Sequence, residues 1–337
     1  MMREAEFGLP SGQTVEELSF SHTVDERTSL IIIKAFVSNC SLFESIPFYE
    51  IKLRSLFPGN SFSGSYKISF KERSYFVRVT PRLGNILLER SLMRSLNLTD
   101  SPVIKTHLLT VIEINNEKYR FEVRDLVDGR HPQFGNLVEV KQVALALRRL
   151  HTHFLNVEGK EKIRENFIQR VNEWRTISKN LPHYFKMDSE YFELFQREEQ
   201  FFSLSRKLLN GHIFDSPRQQ IVHGEPHQGN VILKDLKIYL IDLEESVRLY
   251  VPIEWDYVYL LHRFSHNLST EEPELLKLLN RFLLNEIGLD QRTLRTYCQL
   301  IPYLIILQIL SDLTKGVRAP INEVSKFLSF GKKDYRV

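Results

Sequence analysis

Short stretches of alternating apolar and polar residues fill residues 49–127, and alternation with a period of two is typical of β-strands. We predict strands at residues 50–53, 66–70, 75–79, 107–114 and 119–123. Turn-forming residues separate these stretches, and residues 115–118 predict a tight hairpin. Residues 85–96 carry apolar side chains mostly at helical spacing instead. One helix therefore interrupts a predicted antiparallel sheet.

Beyond Gly129 the pattern changes to three-to-four spacing, which indicates helices, first at residues 138–151. Only residues 231–233 and 238–241 indicate strands in this half, as one hairpin. The apolar run 301–310 predicts a buried helix. We therefore predict an α+β fold of two lobes, with a small antiparallel β lobe (the N-lobe, 49–127) and a larger, mostly helical lobe (the C-lobe, 128–337). The extension 1–48 is expected to be helical at residues 25–37 and to pack on the N-lobe.

Composition places the chain among globular proteins. Of its 337 residues, 42% are hydrophobic and 26% charged, and 45 basic against 42 acidic residues give a net charge of only +3. We expect neither a nucleic-acid partner nor a membrane partner, because protein surfaces that bind nucleic acids or membranes are usually strongly basic. Two distant cysteines and an acidic N-terminal stretch indicate a reducing compartment and no signal peptide, so we expect a cytoplasmic location.

The segment 221–230, with the sequence IVHGEPHQGN, is followed by the hairpin and then by IDLEE at 241–245. Glu225, Asn230 and Asp242 thus bracket two short strands. Carboxylate and carboxamide oxygens are the ligands that Mg²⁺ prefers, and a remaining carboxylate can orient a hydroxyl group. Phosphoryl transfer needs this combination of a metal that offsets phosphate charge and a positioned proton acceptor.

Two other interpretations of this segment stay open. His223 and His227 are four residues apart with a glutamate nearby, which superficially resembles a helical zinc motif. Gly224 and Pro226 argue against a helix there, so the two imidazoles are not expected to share a face. The second interpretation is that the segment is a loop whose polar side chains only cap and cross-link turns.

An upstream turn offers a site for phosphates. Residues 57–66 place small residues between two strands, where backbone amides can approach phosphate oxygens; these residues are Gly59, Ser61, Ser63 and Gly64. Arg78 follows on a strand and Glu89 on the next helix. Taken singly, a turn of this composition is more often a plain hairpin turn. An arginine on such a strand is more often a surface residue, and a glutamate on such a helix is more often solvated. Their order along the chain favours phosphoryl transfer.

With these motifs the chain resembles the aminoglycoside phosphotransferase and choline-kinase-like family of small-molecule kinases, which has the protein-kinase-like fold. The family's H-G-D-x-H-x-x-N stretch, hairpin and I-D-W-E are similar to residues 223–230, the hairpin and residues 241–245. The resemblance extends to the strand of Arg78, to Glu89, to the helix at 144–151 and to Asp256. It covers roughly residues 49–262.

The resemblance implies a role for each matching residue. Asn230 and Asp242 would hold Mg²⁺, Glu225 would be the catalytic acceptor, and Arg78, supported by Glu89, would contact the ATP phosphates. Further residues would line or support the site: Leu126, Val127 and Asp128 as the adenine-side hinge, and His223, His227 and Asp256 as supports of the catalytic loop.

The expected function is an ATP- and Mg²⁺-dependent phosphotransferase acting on a hydroxyl group of a small molecule. Glu225 stands where the family has aspartate, which keeps a pseudokinase that binds nucleotide or acts as a scaffold as an alternative, and Ser63 stands where the loop usually has asparagine. A kinase acting on proteins is a third, less favoured possibility. Residues 157–215 contain ten acidic and ten basic residues, so charge gives no support for a polycationic aminoglycoside.

Overall fold

A five-stranded antiparallel sheet forms the N-lobe. The computed structural model describes residues 26–39, 51–58, 63–70, 72–185, 189–215, 218–268, 273–313 and 320–332, to which all structural statements refer. The strands, in the spatial order β1-β2-β3-β5-β4, are β1 (Lys52–Pro58), β2 (Gly64–Phe70), β3 (Arg73–Thr80), β4 (Thr106–Ile114) and β5 (Glu117–Asp125). All five predicted strands are confirmed, because the period-two alternation reflects a sheet with two different faces.

The two faces of this sheet differ in polarity. Val77 and Val79 of β3 and Phe121 and Val123 of β5 form a buried apolar face. Helix α1 (Glu26–Asn39) covers that face, with Ile32 and Phe36 completely buried. The helix expected near residues 25–37 is therefore present and packs on the N-lobe, while the rest of residues 1–48 lies outside the described chain.

The opposite face of the sheet bears charged residues and turns toward the C-lobe. Arg78 of β3 lies directly across from Glu122 of β5, and Arg120 and Arg124 lie on the same face. Arg120, Glu122 and Arg124 are only 2%, 4% and 8% exposed. Helix α2 (Ile86–Asn97) begins after Asn85, whose side chain caps it by accepting from the Leu88 backbone N–H.

Helices make up most of the C-lobe. They are α3 (Leu137–Phe154), α4 (Lys160–Lys179), α5 (Leu181–Phe185), α6 (Ser189–Arg197), α7 (Glu199–Asn210), α8 (Glu254–Asn267), α9 (Pro273–Phe282), α10 (Gln291–Leu313) and α11 (Ile321–Lys332). Aromatic residues of the central helices, among them Trp174, Tyr191 and Phe202, are buried in the core. These aromatic side chains pack the helices of the lobe together. The two-lobed α+β fold is confirmed.

Helix α10 contains the apolar run 301–310 and is buried, as predicted. It is the described helix that is long and apolar enough to cross a membrane, but 67% of its most apolar window is buried inside the protein. Cys298, on the same helix, is a buried free thiol, whereas Cys40 lies outside the described residues.

Two short β pairs lie among the helices. The predicted hairpin is β7 (Val231–Lys234) and β8 (Lys237–Leu240). A second pair, β6 (Gln220–Ile221) with β9 (Tyr250–Val251), corrects the prediction of only one β region in this lobe. Strands of two residues are too short to show alternation, so the pattern could not reveal them.

The β7–β8 hairpin is held from both sides by segments that connect the lobes. Arg130, just after the hinge, exchanges backbone hydrogen bonds with Leu233, at 3.0 and 2.7 Å. On the other side, the Ile104 N–H donates to the Leu240 oxygen at 3.2 Å, and the Leu240 N–H donates to Pro102 at 2.8 Å. The hairpin is thus tied to the chain that enters β4 and to the chain that leaves β5.

Replacing Phe36 with alanine tests the packing of α1 on the sheet. Because Phe36 is fully buried against the sheet, Phe36→Ala is expected to cost about 3–5 kcal/mol of unfolding free energy. Leu30→Ala on the same helix, at a side chain that is 47% exposed, is the control and is expected to cost less than about 1 kcal/mol. Urea unfolding followed by circular dichroism measures both; equal costs would contradict docking of α1.

Candidate active site

The segment between β6 and β7 forms a tight loop rather than a helix. Gly224 has φ = +95°, in the left-handed region that glycine tolerates. A Cβ atom at this position would lie 2.8 Å from Cβ of Glu245 and 2.9 Å from Leu249, so only glycine lets the two chain segments come this close. The loop thereby lies directly on residues 245–249, and Glu225 follows at its exposed tip.

Asp256 fixes the backbone of this loop. Its carboxylate is completely buried and accepts the backbone N–H groups of His223 and Gly224, each at 2.8 Å. His151 of α3 contacts the same carboxylate through Nε2 at 2.7 Å. Asp256 lies inside the first turn of α8 and not at its N-cap, which is Ile253. A buried carboxylate with three hydrogen bonds is well satisfied, and it holds the loop in one position.

The two histidines of the loop make separate local contacts. His223 is buried, and its Nε2 lies 3.1 Å from the Ile241 carbonyl. His227 Nδ1 accepts the Gly229 N–H at 3.1 Å and caps the short 3₁₀ turn that ends at Asn230. Among the described residues, no group of three or more His, Cys, Asp or Glu side chains is placed to hold a metal. The zinc interpretation therefore has no geometric support.

Asn230 and Asp242 lie at the open end of the β7–β8 hairpin. Asn230 directly precedes β7, Asp242 follows β8 by two residues, and the Ile241 N–H donates to the Asn230 carbonyl at 3.0 Å, so the backbones of the two predicted metal ligands lie close together. The Asn230 side-chain amide donates to the Glu225 carbonyl at 3.0 Å, which leaves Oδ1 as its acceptor. Two oxygen donors of this type fit Mg²⁺, which takes a few protein ligands and keeps several waters.

Arg78 reaches across from the N-lobe to this hairpin end. Its Nη1 lies 3.1 Å from Oδ2 of Asp242 and 3.7 Å from Glu244. Burial alone would raise the pKa of Asp242, but Arg78 and Arg124 outweigh that effect and hold this pKa below its ordinary value. Asp242 is therefore a carboxylate at neutral pH, as a metal ligand must be.

Glu89 does not pair with Arg78, and this corrects the prediction that it supports that arginine. Its carboxylate forms an ion pair with Arg120 of β5 instead, and both side chains are almost fully buried. The reason is sheet order, because β5 lies beside β3 and presents its own arginine to α2. Burial, partly offset by Arg120, raises the pKa of Glu89 to about 7.

The predicted hinge connects the two lobes. The Leu126 N–H donates to the Ser74 carbonyl at 3.4 Å, Val127 is half-buried, and Asp128 is exposed. Of the predicted phosphate-binding turn, Ser63 and Gly64 lie at the start of β2. Gly59 and Ser61 lie outside the described residues, so the prediction for that turn stays a prediction.

Glu225 lies in a markedly charged environment. It is exposed at the loop tip, yet surrounding protein atoms and then the carboxylates Glu245 and Asp242 raise the pKa of Glu225 to about 7. Glu245 is itself held by Arg170 of α4 and by Arg248, the latter at 2.9 Å. A carboxylate whose pKa is raised toward neutrality is suited to accept a proton from a hydroxyl group.

The prediction from sequence missed several members of this site. These are Arg120, Glu122 and Arg124 on the sheet, Glu244 and Glu245 after the hairpin, and Arg170 on α4. Alternation of charged and apolar residues in β5 was visible, but such a pattern ordinarily indicates a solvent-exposed face. The side chains are instead buried between the lobes, which only the tertiary structure shows.

Solved structures with the same fold belong to small-molecule kinases. An ethanolamine kinase from Plasmodium vivax matches with a TM-score of 0.59 and 14% identity, covering 96% of each chain. The choline kinase LicA from Streptococcus pneumoniae matches with a TM-score of 0.56 and 14% identity, covering 90% of this chain and 98% of its own. A spectinomycin phosphotransferase in complex with ADP and spectinomycin matches with a TM-score of 0.57 and 16% identity, covering 90% of this chain and 93% of its own.

At these identities the structural likeness shows the fold alone.

A comparison with curated proteins finds no match. The model of the phosphotransferase enzyme family, APH, matches residues 54–288, which is well over half of the chain and includes Arg78, Arg120, Arg124 and the whole segment 221–245. The chain therefore belongs to the phosphotransferase enzyme family.

Proposed function

We propose that the protein transfers the γ-phosphoryl group of a nucleoside triphosphate, bound with Mg²⁺, to a hydroxyl group of a small molecule. The observation that carries this proposal is the ion pair of Arg78 with Asp242 at the hairpin end where Asn230 lies and where its side chain holds the Glu225 carbonyl. The ethanolamine, choline and spectinomycin kinases of the same fold act on compounds that carry hydroxyl groups, which agrees with the proposal.

Each residue has a distinct role in this proposal. Glu225 accepts the proton of the attacking hydroxyl, and its raised pKa brings it close to the pH at which it works. Asn230 and Asp242 would hold Mg²⁺, which would offset the charge of the phosphates. Arg78 presents a guanidinium fork beside the same carboxylate, a group that binds phosphate oxygens in pairs. Asp256 holds the loop that carries Glu225.

A pseudokinase that binds nucleotide or a partner without turnover is the second candidate. Two observations favour it: glutamate in place of the family's aspartate at position 225, and the ion pair that engages Asp242 with Arg78. Under this alternative, the Glu225 carboxylate has no chemical task, so its removal would change nothing that can be measured as transfer.

Transfer of labelled phosphate tests the proposal directly. The protein, Mg²⁺ and γ-³²P-labelled ATP or GTP are incubated with a fractionated pool of small metabolites, and a labelled product is expected. Glu225→Gln keeps the size of the side chain but cannot take up the proton, so transfer is expected to fall about 100-fold or more. Glu165→Gln, on the exposed face of α4, is the matched control and is expected to keep full transfer. Undiminished transfer by Glu225→Gln would remove Glu225 from the mechanism, and no product at all would favour the pseudokinase.

Asp242→Asn tests the metal site. The substitution removes a negative charge from the ligand set, so the stabilisation by nucleotide that depends on Mg²⁺ should be largely lost. Asp235→Asn is a close control, because Asp235 and Asp242 both have positive φ, of 47° and 63°, which asparagine also tolerates. Thermal shifts with nucleotide alone, Mg²⁺ alone and both together measure the effect. Retention of the full shift by Asp242→Asn would contradict metal binding there.

The pH profile tests the electrostatics around Glu225. The carboxylate accepts a proton only when ionised, so kcat/KM should rise with pH through its pKa of about 7 and level off above it. Glu245→Gln removes a negative neighbour, which makes ionisation of Glu225 easier and should move this rise to lower pH. Glu165→Gln should leave the profile in place. A rise at the same pH in Glu245→Gln would show that Glu225 is not the group that titrates.

A further inference from the structure

Arg170 of α4 is a mostly buried cation beside the loop between β6 and β7. Its Nη1 pairs with Glu245, and the Cβ atom of Glu245 lies 2.8 Å from where a Cβ atom of Gly224 would be. The ion pair is therefore next to the residue that precedes Glu225. Arg248 binds the other oxygen of Glu245 at 2.9 Å. Two cations thus share one carboxylate, so Glu245 balances the charge of only one of them.

Two N–H groups beside this ion pair are buried without a hydrogen-bond acceptor. Arg170 uses Nη1 for Glu245, and within the described part of the chain its Nε and Nη2 make no hydrogen bond. The guanidinium lies over the Trp174 ring, 4.9 Å from the centroid, and the buried indole Nε1 of Trp174 has no partner there either. Burying donors without acceptors is unfavourable. What these groups lack is a ligand that supplies acceptor oxygens.

The unused donors of Arg170 match an anionic group. Nε and Nη2 lie on the same edge of a guanidinium, and an arginine binds both oxygens of a carboxylate or phosphate through two parallel N–H donors. An ammonium group has donors only, so it has nothing to offer these N–H groups and its charge is repelled. The Arg170 side chain keeps 15% exposure, which leaves it open to a ligand from solvent.

The site contains two separate sets of arginines. Arg78 comes from the sheet and pairs with Asp242, at the end of the hairpin where the proposed reaction places the metal and the phosphates. Arg170 and Arg263 come from helices α4 and α8. Burial and neighbouring carboxylates raise the pKa of Glu225, and the charges of Arg170 and Arg263 offset part of this rise. We therefore assign the helical set to the compound whose hydroxyl group reaches Glu225.

We propose that the hydroxyl compound phosphorylated by this protein is an anion, and that Arg170 binds its carboxylate or phosphate group. This inference rests on the proposed phosphotransferase function. In the transfer, the hydroxyl oxygen bonds to the γ-phosphorus, its proton passes to Glu225, and the nucleoside diphosphate leaves with the electrons of the broken P–O bond. The anionic group of the acceptor stays on Nε and Nη2 of Arg170 and orients the hydroxyl for this step.

Fractionation of the acceptor pool by charge tests the inference without identifying the acceptor. A pool of small metabolites is passed over an anion exchanger at neutral pH. The bound and unbound fractions are then incubated with the full-length wild-type protein, Mg²⁺ and γ-³²P-labelled ATP or GTP. Labelled product is expected from the bound fraction. Labelled product from the unbound fraction, alone or in equal amount, would overturn the inference and leave the proposed function intact. Label with neither fraction would overturn both.

Alkaline phosphatase distinguishes the two anionic groups. The bound fraction is treated with the enzyme, which is removed before the transfer assay. Loss of the labelled product identifies a phosphate ester as the group on Arg170, and an unchanged amount identifies a carboxylate. Both outcomes support an anionic acceptor.

Substitution of Arg170 assigns the binding of the anion to this side chain. Arg170→Gln lacks the charge and the paired donors, so the amount of bound fraction needed for half-maximal transfer should rise about tenfold or more. The half-saturating nucleotide concentration should stay the same. Arg170→Lys keeps the charge only and should keep part of the affinity. Arg164→Gln, at an exposed position of the same helix, should change neither value. No rise with Arg170→Gln, or a rise for the nucleotide instead, would overturn the inference.

A double substitution separates binding of the anion from support of Glu245. Without Arg170, Glu245 keeps only Arg248, and its less balanced charge would repel an anionic acceptor indirectly. Combining Arg170→Gln with Glu245→Gln removes this repulsion, so affinity lost in that way would return. Affinity lost with the binding side chain itself is expected to stay lost. Recovery by the double variant to within about twofold of Glu245→Gln alone would overturn the assignment to Arg170.

Discussion

A single buried carboxylate determines the geometry of the candidate site. Asp256 has no contact with solvent, and its carboxylate accepts two backbone N–H groups of the loop between β6 and β7 and contacts His151. Removing any one of these partners would leave a buried acceptor unsatisfied, which is more costly than the bond itself is favourable. The loop backbone is consequently confined to one conformation, and the directions of Glu225 and Asn230 follow from it. Trp255, which precedes Asp256 on helix α8, donates a further hydrogen bond from Nε1 to the Gly224 carbonyl at 3.1 Å.

The cleft between the lobes is a layer of paired charges rather than an apolar interface. Arg78 and Arg120 both approach Glu244 of the C-lobe, at 3.7 and 3.6 Å, so the lobes meet through ion pairs. Buried ion pairs contribute little net stability, because desolvation offsets most of the attraction. Their presence at this place agrees with the proposed function, because a cleft that binds polyanionic phosphates would need cations held in fixed positions.

The fold was largely predictable from sequence because its signals are local. Alternation in residues 75–79 and 119–123 predicts strands, and the same alternation places Val77 and Phe121 on one face of the sheet. The partners of charged residues were not predictable, since they depend on sheet order and lobe packing. Glu89 pairs with Arg120, 31 residues away, and no sequence pattern distinguishes that partner from Arg78.

The candidate site shows the same division between local and long-range information. The closeness of Asn230 and Asp242 follows from hairpin pairing, which the turn at residues 235–236 makes evident. The position of Glu245 in the site does not follow from hairpin pairing. It depends on the ion pair with Arg170 on a distant helix and on the close approach that Gly224 allows. Contacts between chain neighbours and within hairpins can be predicted from a sequence, whereas contacts between elements far apart in the chain cannot.

The double attachment of the β7–β8 hairpin constrains how the two lobes can move. Residues 102–104 and Arg130 bind opposite edges of the hairpin through backbone hydrogen bonds, so the hairpin and the two connecting segments shift together. Any rotation of the sheet relative to the helices then has its axis near this hairpin. Motion would be smallest at the hinge side and largest at the outer strands β1 and β2. Opening of the cleft would therefore alter the separation of Arg78 from Asp242 while the hinge keeps its place beside β7.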